Sequence, residues 1–317
     1  MRIERYNFLM FRDGGRCLKF YLIVISMVLL LGCVSTTGHV GVFSKAAEEL
    51  AVQIEKGYQL VETSGVQGKI AREAAEHAEL SEKEFEALFK GLLEGSEDRE
   101  IRMKMIKQLR AYSKALGELS SANFREGIDK ASKELYGVLT GFTETYKKVS
   151  GKDAGIKERD VGIFATLVDA IGTGISERKR KKAIKKVVDI ADPAIQKICA
   201  LLSKEFPTLA DYVDTNLSTV EMEMKDYYNK KGKSLDLLHR IQYLKEIQQM
   251  HHQTTKAKEF FDNLTKGIDR LAKAHGVLRK AVNQKKFTTK ELIDQIRELV
   301  DFARSLREFY KGLLEGE

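Results

Sequence analysis

The chain has 317 residues, of which 43% are hydrophobic and 32% charged, and its formal net charge at neutral pH is +8. This excess of positive charge is too small to indicate a nucleic-acid-binding protein. Two prolines, no tryptophan and many Ala, Leu, Glu and Lys residues are typical of helices, and the alternating pattern of strands never persists. We therefore predict an all-α protein.

The N-terminal part carries the pattern of an export signal. Residues 20–31 are apolar except for Ser26 and follow a basic lead-in, Arg12, Arg16 and Lys19. An apolar run of this length is too short for a permanent transmembrane helix and is typical of a signal peptide.

This run closes with Leu30, Leu31, Gly32 and Cys33, which resemble the lipobox of bacterial lipoproteins. The resemblance implies that residues 1–32 are removed as a signal peptide and that Cys33 carries diacylglycerol, with acyl chains such as palmitate. It also implies a bacterial cell envelope location, and the absence of Asp after the cysteine favours the periplasmic side of the outer membrane. An uncleaved N-terminal anchor and a secretory signal with a coincidental cysteine are the alternatives.

A short lipidated tether, 33–39, is expected to lead into a helical domain, 40–317. The first helix is predicted to run to about Glu62 and to break at residues 63–68, which include two glycines. A small helix is expected over 69–79. Ser81 with Glu84, and Thr288 with Glu291, have the spacing of capping boxes and predict two further helix starts.

Apolar residues at alternating steps of four and three indicate two long segments with coiled-coil-like seams. In the first, 97–149, the seam changes phase at 120–123, which predicts either one long kinked helix or two in succession. In the second, 234–286, the seam comprises Tyr243, Ile247, Met250, Thr254, Ala257, Phe261, Leu264, Ile268, Leu271, His275, Leu278 and Val282.

Between these segments, Asp192 is expected to cap a helix that starts at Pro193. That helix should stop near Phe206, because Pro207 disfavours α geometry in the residue before it. The predicted architecture is an elongated antiparallel helical bundle built around the two long segments. The seams could pair within one chain or between two, so a homo-oligomer is possible.

The region 161–186 combines an apolar segment with a basic one. Small residues recur every four positions, which permits close helix packing; they are Gly162, Thr166, Ala170 and Gly174. Seven of the next nine residues are basic, namely Arg178, Lys179, Arg180, Lys181, Lys182, Lys185 and Lys186. A packed helix with a solvated basic face is the simplest interpretation, and contact with an anionic membrane or an acidic protein partner are the alternatives.

Reactive motifs are missing from the sequence. It contains no Glu-x-x-His, His-Glu-x-x-His, Cys-x-x-Cys or Gly-x-Ser-x-Gly motif. His251 and His252 are adjacent and would point about 100° apart on a helix, so a polar role is favoured over a metal site. His275 is expected to be a core histidine, a register-setting residue or a pH switch, and Cys199 a buried, inert thiol.

We therefore predict no metal, no cofactor and no enzymatic activity. The first hypothesis is a lipoprotein held to a membrane through Cys33, whose helical bundle binds a protein partner or acts as a spacer. The second is a membrane-active helical protein, similar in layout to pore-forming toxins, that uses 161–186 to contact lipid.

Overall fold

The computed structural model describes residues 37–77, 79–93, 97–121, 125–156, 177–284 and 289–315, and within these ranges the chain is helical apart from short connections. The predicted all-α helical bundle is confirmed. The helices are α1 (Gly38–Glu76), α2 (Glu82–Leu93), α3 (Glu97–Ser121), α4 (Arg125–Ser150), α5 (Glu177–Lys231), α6 (Leu237–Asn283) and α7 (Lys290–Glu315).

Helix α1 is continuous over 39 residues, so the predicted break at 63–68 is wrong. The two glycines face α5. A Cβ atom on Gly65 would lie 2.6 Å from the hydroxyl oxygen of Tyr212, and one on Gly68 would lie 2.5 Å from Asn216 Oδ1. Packing between helices, rather than a turn, therefore explains these glycines. The helix also begins at Gly38, inside the predicted tether 33–39.

The capping prediction at Ser81 is confirmed. The Ser81 backbone N–H donates to Glu84 Oε2 at 2.7 Å, and the Glu84 backbone N–H donates to Ser81 Oγ at 3.4 Å. At the start of α7 the cap is Thr289, whose Oγ1 accepts a hydrogen bond from the Leu292 N–H at 3.2 Å. The predicted cap, Thr288, lies outside the described residues.

The segment 97–149 forms two helices, α3 and α4, which pack against each other. Tyr112 of α3 contacts Phe142 of α4, with 6.3 Å between ring centroids. The alternative of two helices in succession is therefore confirmed. The prediction that this segment forms one of two long antiparallel rods is wrong, because the chain folds back on itself near the phase change of the seam.

Helix α5 is 55 residues long and contains both prolines, so the predicted start at Pro193 and stop at Phe206 are wrong. The apolar face continues across Pro207, since Phe206, Ala210 and Val213 are all buried. A proline in a helix interior costs about 3 kcal/mol. Burying several large side chains on either side of it contributes more, at about 1.5–3 kcal/mol each.

The predicted seam of α6 is confirmed, because ten of its twelve positions are buried and Tyr243 and Met250 are partly buried. Its main partner is α5, which joins it through a 3₁₀ turn at Gly232–Ser234. Helices α1 and α5 run in parallel, and α6 runs antiparallel to both. Helices α3, α4 and α7 flank this three-helix unit at the end where α1 begins.

The interior is formed by aliphatic and aromatic side chains from all of these long helices. Cys199 is buried there as a free thiol. Burial, with smaller contributions from the charges of Asp269 and Asp192, raises the pKa of this thiol to about 12, as expected for an inert core cysteine.

Candidate functional site

The basic run lies in the first turns of α5, at the end of the bundle where α1 begins. Arg178 and Lys182 are exposed, whereas the other five basic side chains are partly buried. Arg180 Nη1 donates to the Ser120 carbonyl at 3.3 Å, and Lys181 Nζ lies 3.0 Å from Glu177 Oε1. Arg180 is therefore engaged with α3, and Arg178 and Lys182 face solvent.

A groove of about 540 Å³ lies beside this run, between the start of α1, the end of α3 and Arg180. Its serine hydroxyls donate to carbonyls of their own helices: Ser44 to Val40 at 2.8 Å and Ser120 to Gly117 at 2.7 Å. Because these donors are already used, the other polar groups that the groove offers are the side chains of Lys45, Glu48, Lys114, Glu118 and Arg180, which carry both signs of charge.

Other predicted residues lie outside the part of the chain that the structure describes. They are the lipidation site Cys33 and the small residues Gly162, Thr166, Ala170 and Gly174. The apolar part, 161–175, of the lipid-contacting segment 161–186 in the pore-forming hypothesis lies there too, so these predictions stay predictions. Among the helices of the described ranges, none is both long and apolar enough to cross a membrane.

The most organised polar cluster is a buried chain of hydrogen bonds that joins three helices. His275 of α6 is fully buried, and its Nε2 lies 2.9 Å from the Tyr112 hydroxyl of α3. Its Nδ1 lies 2.8 Å from Asp192 Oδ1 of α5. Arg279 Nη1 donates to the other carboxylate oxygen at 3.0 Å, and Gln196 donates to Oδ1 at 3.2 Å.

The groups around Asp192 keep its carboxylate ionised. Burial alone would raise the pKa of Asp192, but the hydrogen bonds from His275 and Gln196 and the charge of Arg279 hold it below its ordinary value. Burial and the negative charge of Asp192 raise the pKa of Tyr112. An ionised Asp192 accepts a hydrogen bond from His275 Nδ1. In the neutral tautomer that carries its proton on Nδ1, Nε2 accepts a hydrogen bond from the Tyr112 hydroxyl.

This order of groups is similar to a hydroxyl–histidine–carboxylate catalytic relay, but it is sealed from solvent. Tyr112 is 1% exposed and His275 is 0% exposed. The ring of Phe43 packs on His275, with 5.8 Å between centroids, and Phe142 packs on Tyr112. A substrate cannot reach the hydroxyl, so the geometry favours a structural role, and His275 is a hydrogen-bonded core histidine.

Sequence reasoning missed the partners of His275. Asp192 was interpreted as a helix cap because Pro193 follows it, yet it lies inside α5. The available signal was His275 itself, which is a polar residue in an otherwise apolar seam and needs partners when buried.

The surface histidines form ordinary polar contacts. His251 Nδ1 lies 3.0 Å from Glu221 Oε1 of the neighbouring helix, and His239 Nδ1 lies 2.6 Å from Asp236 Oδ2. Within the described ranges, no group of three or more His, Cys, Asp or Glu side chains is placed to hold a metal ion.

Comparison with models of protein families, with curated proteins and with solved structures gives no match to this chain.

Proposed function

We propose that this chain is a lipid-anchored, non-enzymatic protein of the bacterial cell envelope whose helical bundle acts as a spacer. In this proposal the lipid on Cys33 fixes one end of the bundle to a membrane. The opposite end, where α5 turns into α6, is then held away from that membrane and is available for binding.

The observation that carries this proposal is the direction of the helices. Cys33 precedes Thr37 by four residues, which span at most about 14 Å. A lipid on Cys33 therefore lies near the start of α1, which packs beside the early turns of α5. From there α5 runs 55 residues, or about 80 Å, to the turn at its far end.

The position of the basic residues supports the same orientation. Arg178 and Lys182 are exposed at the end where α1 begins. If the anchor holds this end at a membrane, these side chains lie at the level of the lipid headgroups. Each cation near an anionic membrane surface contributes about 1 kcal/mol of attraction, so the basic run would help to orient the bundle.

The non-enzymatic part of the proposal is supported by the sealed polar cluster. Tyr112, His275 and Asp192 are the strongest candidates for chemistry in the described part of the chain, and solvent does not reach them. Their hydrogen bonds instead join α3, α5 and α6, which suits a protein whose task depends on shape.

Expression of the full-length chain in a bacterial host tests the anchor. Wild type should incorporate labelled fatty acid, and Cys33→Ala should not. Unlabelled wild type would remove the anchor from the proposal. Crosslinking in the intact envelope, followed by mass spectrometry, should identify any protein partner.

The orientation is tested with dyes on single introduced cysteines. The lipidated protein is labelled at Lys182→Cys or at Lys231→Cys and placed in neutral phosphatidylcholine vesicles that carry an energy acceptor on their headgroups. Buried Cys199 should not react. These two positions are roughly 70 Å apart along α5, so transfer is expected from position 182 and not from 231. Equal transfer would mean that the bundle lies flat on the membrane.

A further inference from the structure

The far end of the bundle carries apolar side chains that no helix covers in the described structure. This hairpin tip, residues 229–244, comprises the end of α5, the 3₁₀ turn and the first two turns of α6. Leu238 is 78% exposed and Leu237 is 62% exposed, and Ile241 and Leu244 are also exposed. The start of α6 is itself well formed, because Asp236 Oδ1 accepts a hydrogen bond from the His239 N–H at 3.0 Å.

These side chains do not belong to the seam that α6 shares with α5. That seam passes through Tyr243, Ile247 and Met250. Leu244 directly follows the seam residue Tyr243, and Leu237 and Ile241 precede Tyr243 by six and two residues, which places all three about 100–160° around the helix from it. The exposed face is therefore a separate apolar surface on a firmly capped helix start.

Positive charge surrounds this apolar face. Lys231, at the end of α5, and Lys233, in the turn, are exposed, and Arg240 is half-buried in the first turn of α6. Residues 229–244 carry four basic residues and one acidic residue, the acidic one being Asp236, which caps α6 and contacts the His239 ring. Tyr227 stacks on Tyr243, with 5.5 Å between ring centroids, about one and a half turns behind the two leucines.

The shape of the surface favours lipid over protein as its partner. Leu237 and Leu238 stand out at the end of the bundle and do not line a groove. Four side chains over about 10 Å of helix are fewer than a stable protein interface needs. A bilayer needs no matching pocket, because apolar side chains enter at the level of the headgroups and acyl chains, and neighbouring lysines extend to the phosphates. Tyrosine is also favoured at this depth.

We propose that the hairpin tip binds an anionic lipid bilayer by burying this face of α6 while Lys231, Lys233 and Arg240 contact the phosphates. The tip lies at the opposite end of α5 from the start of α1. The bilayer that it reaches is then a second one, apposed to the membrane that holds Cys33; this last step rests on the proposed function.

The test uses the mature lipidated chain in donor vesicles of neutral phosphatidylcholine that are fixed to beads. Labelled acceptor vesicles contain phosphatidylcholine alone or a mixture with anionic phosphatidylglycerol. Incorporation of the chain into the donors is measured first by flotation. We expect at least tenfold more capture of anionic than of neutral acceptors.

Replacement of both leucines, Leu237→Ser with Leu238→Ser, should abolish this capture without changing incorporation. Replacement of Lys231, Lys233 and Arg240 by Gln should remove the preference for anionic acceptors. The matched control is Met222→Ser with Tyr136→Ser, which changes two exposed apolar residues away from the tip and should leave capture unchanged.

The outcomes separate the two proposals. A chain that does not enter donor vesicles contradicts the anchor. Binding of the hairpin tip to lipid is then tested directly, by sedimentation of the chain with acceptor vesicles. Incorporation without capture overturns the lipid-binding tip, as does capture that survives the leucine replacements. Loss of an envelope-protein crosslink in the leucine variant, without any vesicle binding, would assign the tip to a protein partner.

Discussion

Removing His275 should expose how strongly the buried cluster stabilises the bundle. In His275→Leu, an apolar side chain replaces the imidazole, so the Tyr112 hydroxyl loses its partner and Asp192 loses one of its donors. Leaving a buried charge short of a partner costs about 3–5 kcal/mol. Arg279 and Gln196 still bond to Asp192, so the lower end of this range is expected for the whole substitution.

Tyr112→Phe is the milder change in the same cluster. It removes only the hydroxyl, which leaves His275 Nε2 buried without a donor at a cost of about 1–3 kcal/mol. The double variant, His275→Leu with Tyr112→Phe, contains neither the unpaired Tyr112 hydroxyl of the first single variant nor the unpaired His275 Nε2 of the second. Its loss of stability should therefore be smaller than the sum of the two single losses by about 1–2 kcal/mol.

Urea unfolding followed by circular dichroism measures these free energies, with each variant first checked for native helicity. Losses that simply add would mean that Tyr112 and His275 are not hydrogen-bonded, and would refute the reasoning.

The pH dependence of the unfolding free energy gives an independent measure of how much the same cluster stabilises the protein. The folded-state pKa of Asp192 is held below its ordinary value of 3.8. The stabilisation from its ionised form is therefore fully present above about pH 4 and is lost as the pH falls towards the folded-state value. The difference in unfolding free energy between wild type and Asp192→Asn should shrink over this acidic range. A constant difference would show that the Asp192 charge is not responsible.

Three further predictions concern single residues in the helices. Gly68→Ala should destabilise the protein by about 1–3 kcal/mol, because the added Cβ would meet Asn216. Gly137→Ala, whose Cβ would have nothing within 4 Å, should stabilise the protein by about 0.5–1 kcal/mol. Urea unfolding compares the two variants, and equal effects would contradict the packing argument. Pro207→Ala should raise the unfolding free energy by about 1–3 kcal/mol, and a loss would mean that the proline suits its site. Cys199 should resist thiol reagents in the native state and react in urea, and rapid native labelling would contradict its burial.

The sequence predicted those parts of the fold that depend on a regular pattern. The seam from Ile247 to Val282 is buried almost as expected, since an unbroken apolar stripe has few ways to avoid water. The Ser81 capping box formed because both of its partners lie within one turn. In both cases the pattern that predicts the feature lies within one segment of the chain.

The errors came from residues whose local preference is overruled by packing. Gly65 and Gly68 were expected to break α1, yet a neighbouring helix needs their missing side chains. Pro207 was expected to end a helix, but the buried face on either side holds α5 straight through it. Asp192 was expected to cap a helix, and its actual partners are 83 and 87 residues away in the sequence. Long-range contacts of this kind leave no local signal.

The buried cluster also bears on how a spacer keeps a defined length. Apolar seams with a period of seven residues resemble themselves after a slip of one heptad, which would move α6 along α5 by about 10 Å. Such a slip would take His275 and Arg279 away from Asp192 and leave His275 and Asp192 buried without their partners. A single hydrogen-bonded polar layer therefore selects one register among similar ones. The short turn and this layer together hold α5 and α6 in one register, so the hairpin tip stands a fixed distance from the layer, about 60 Å along α5.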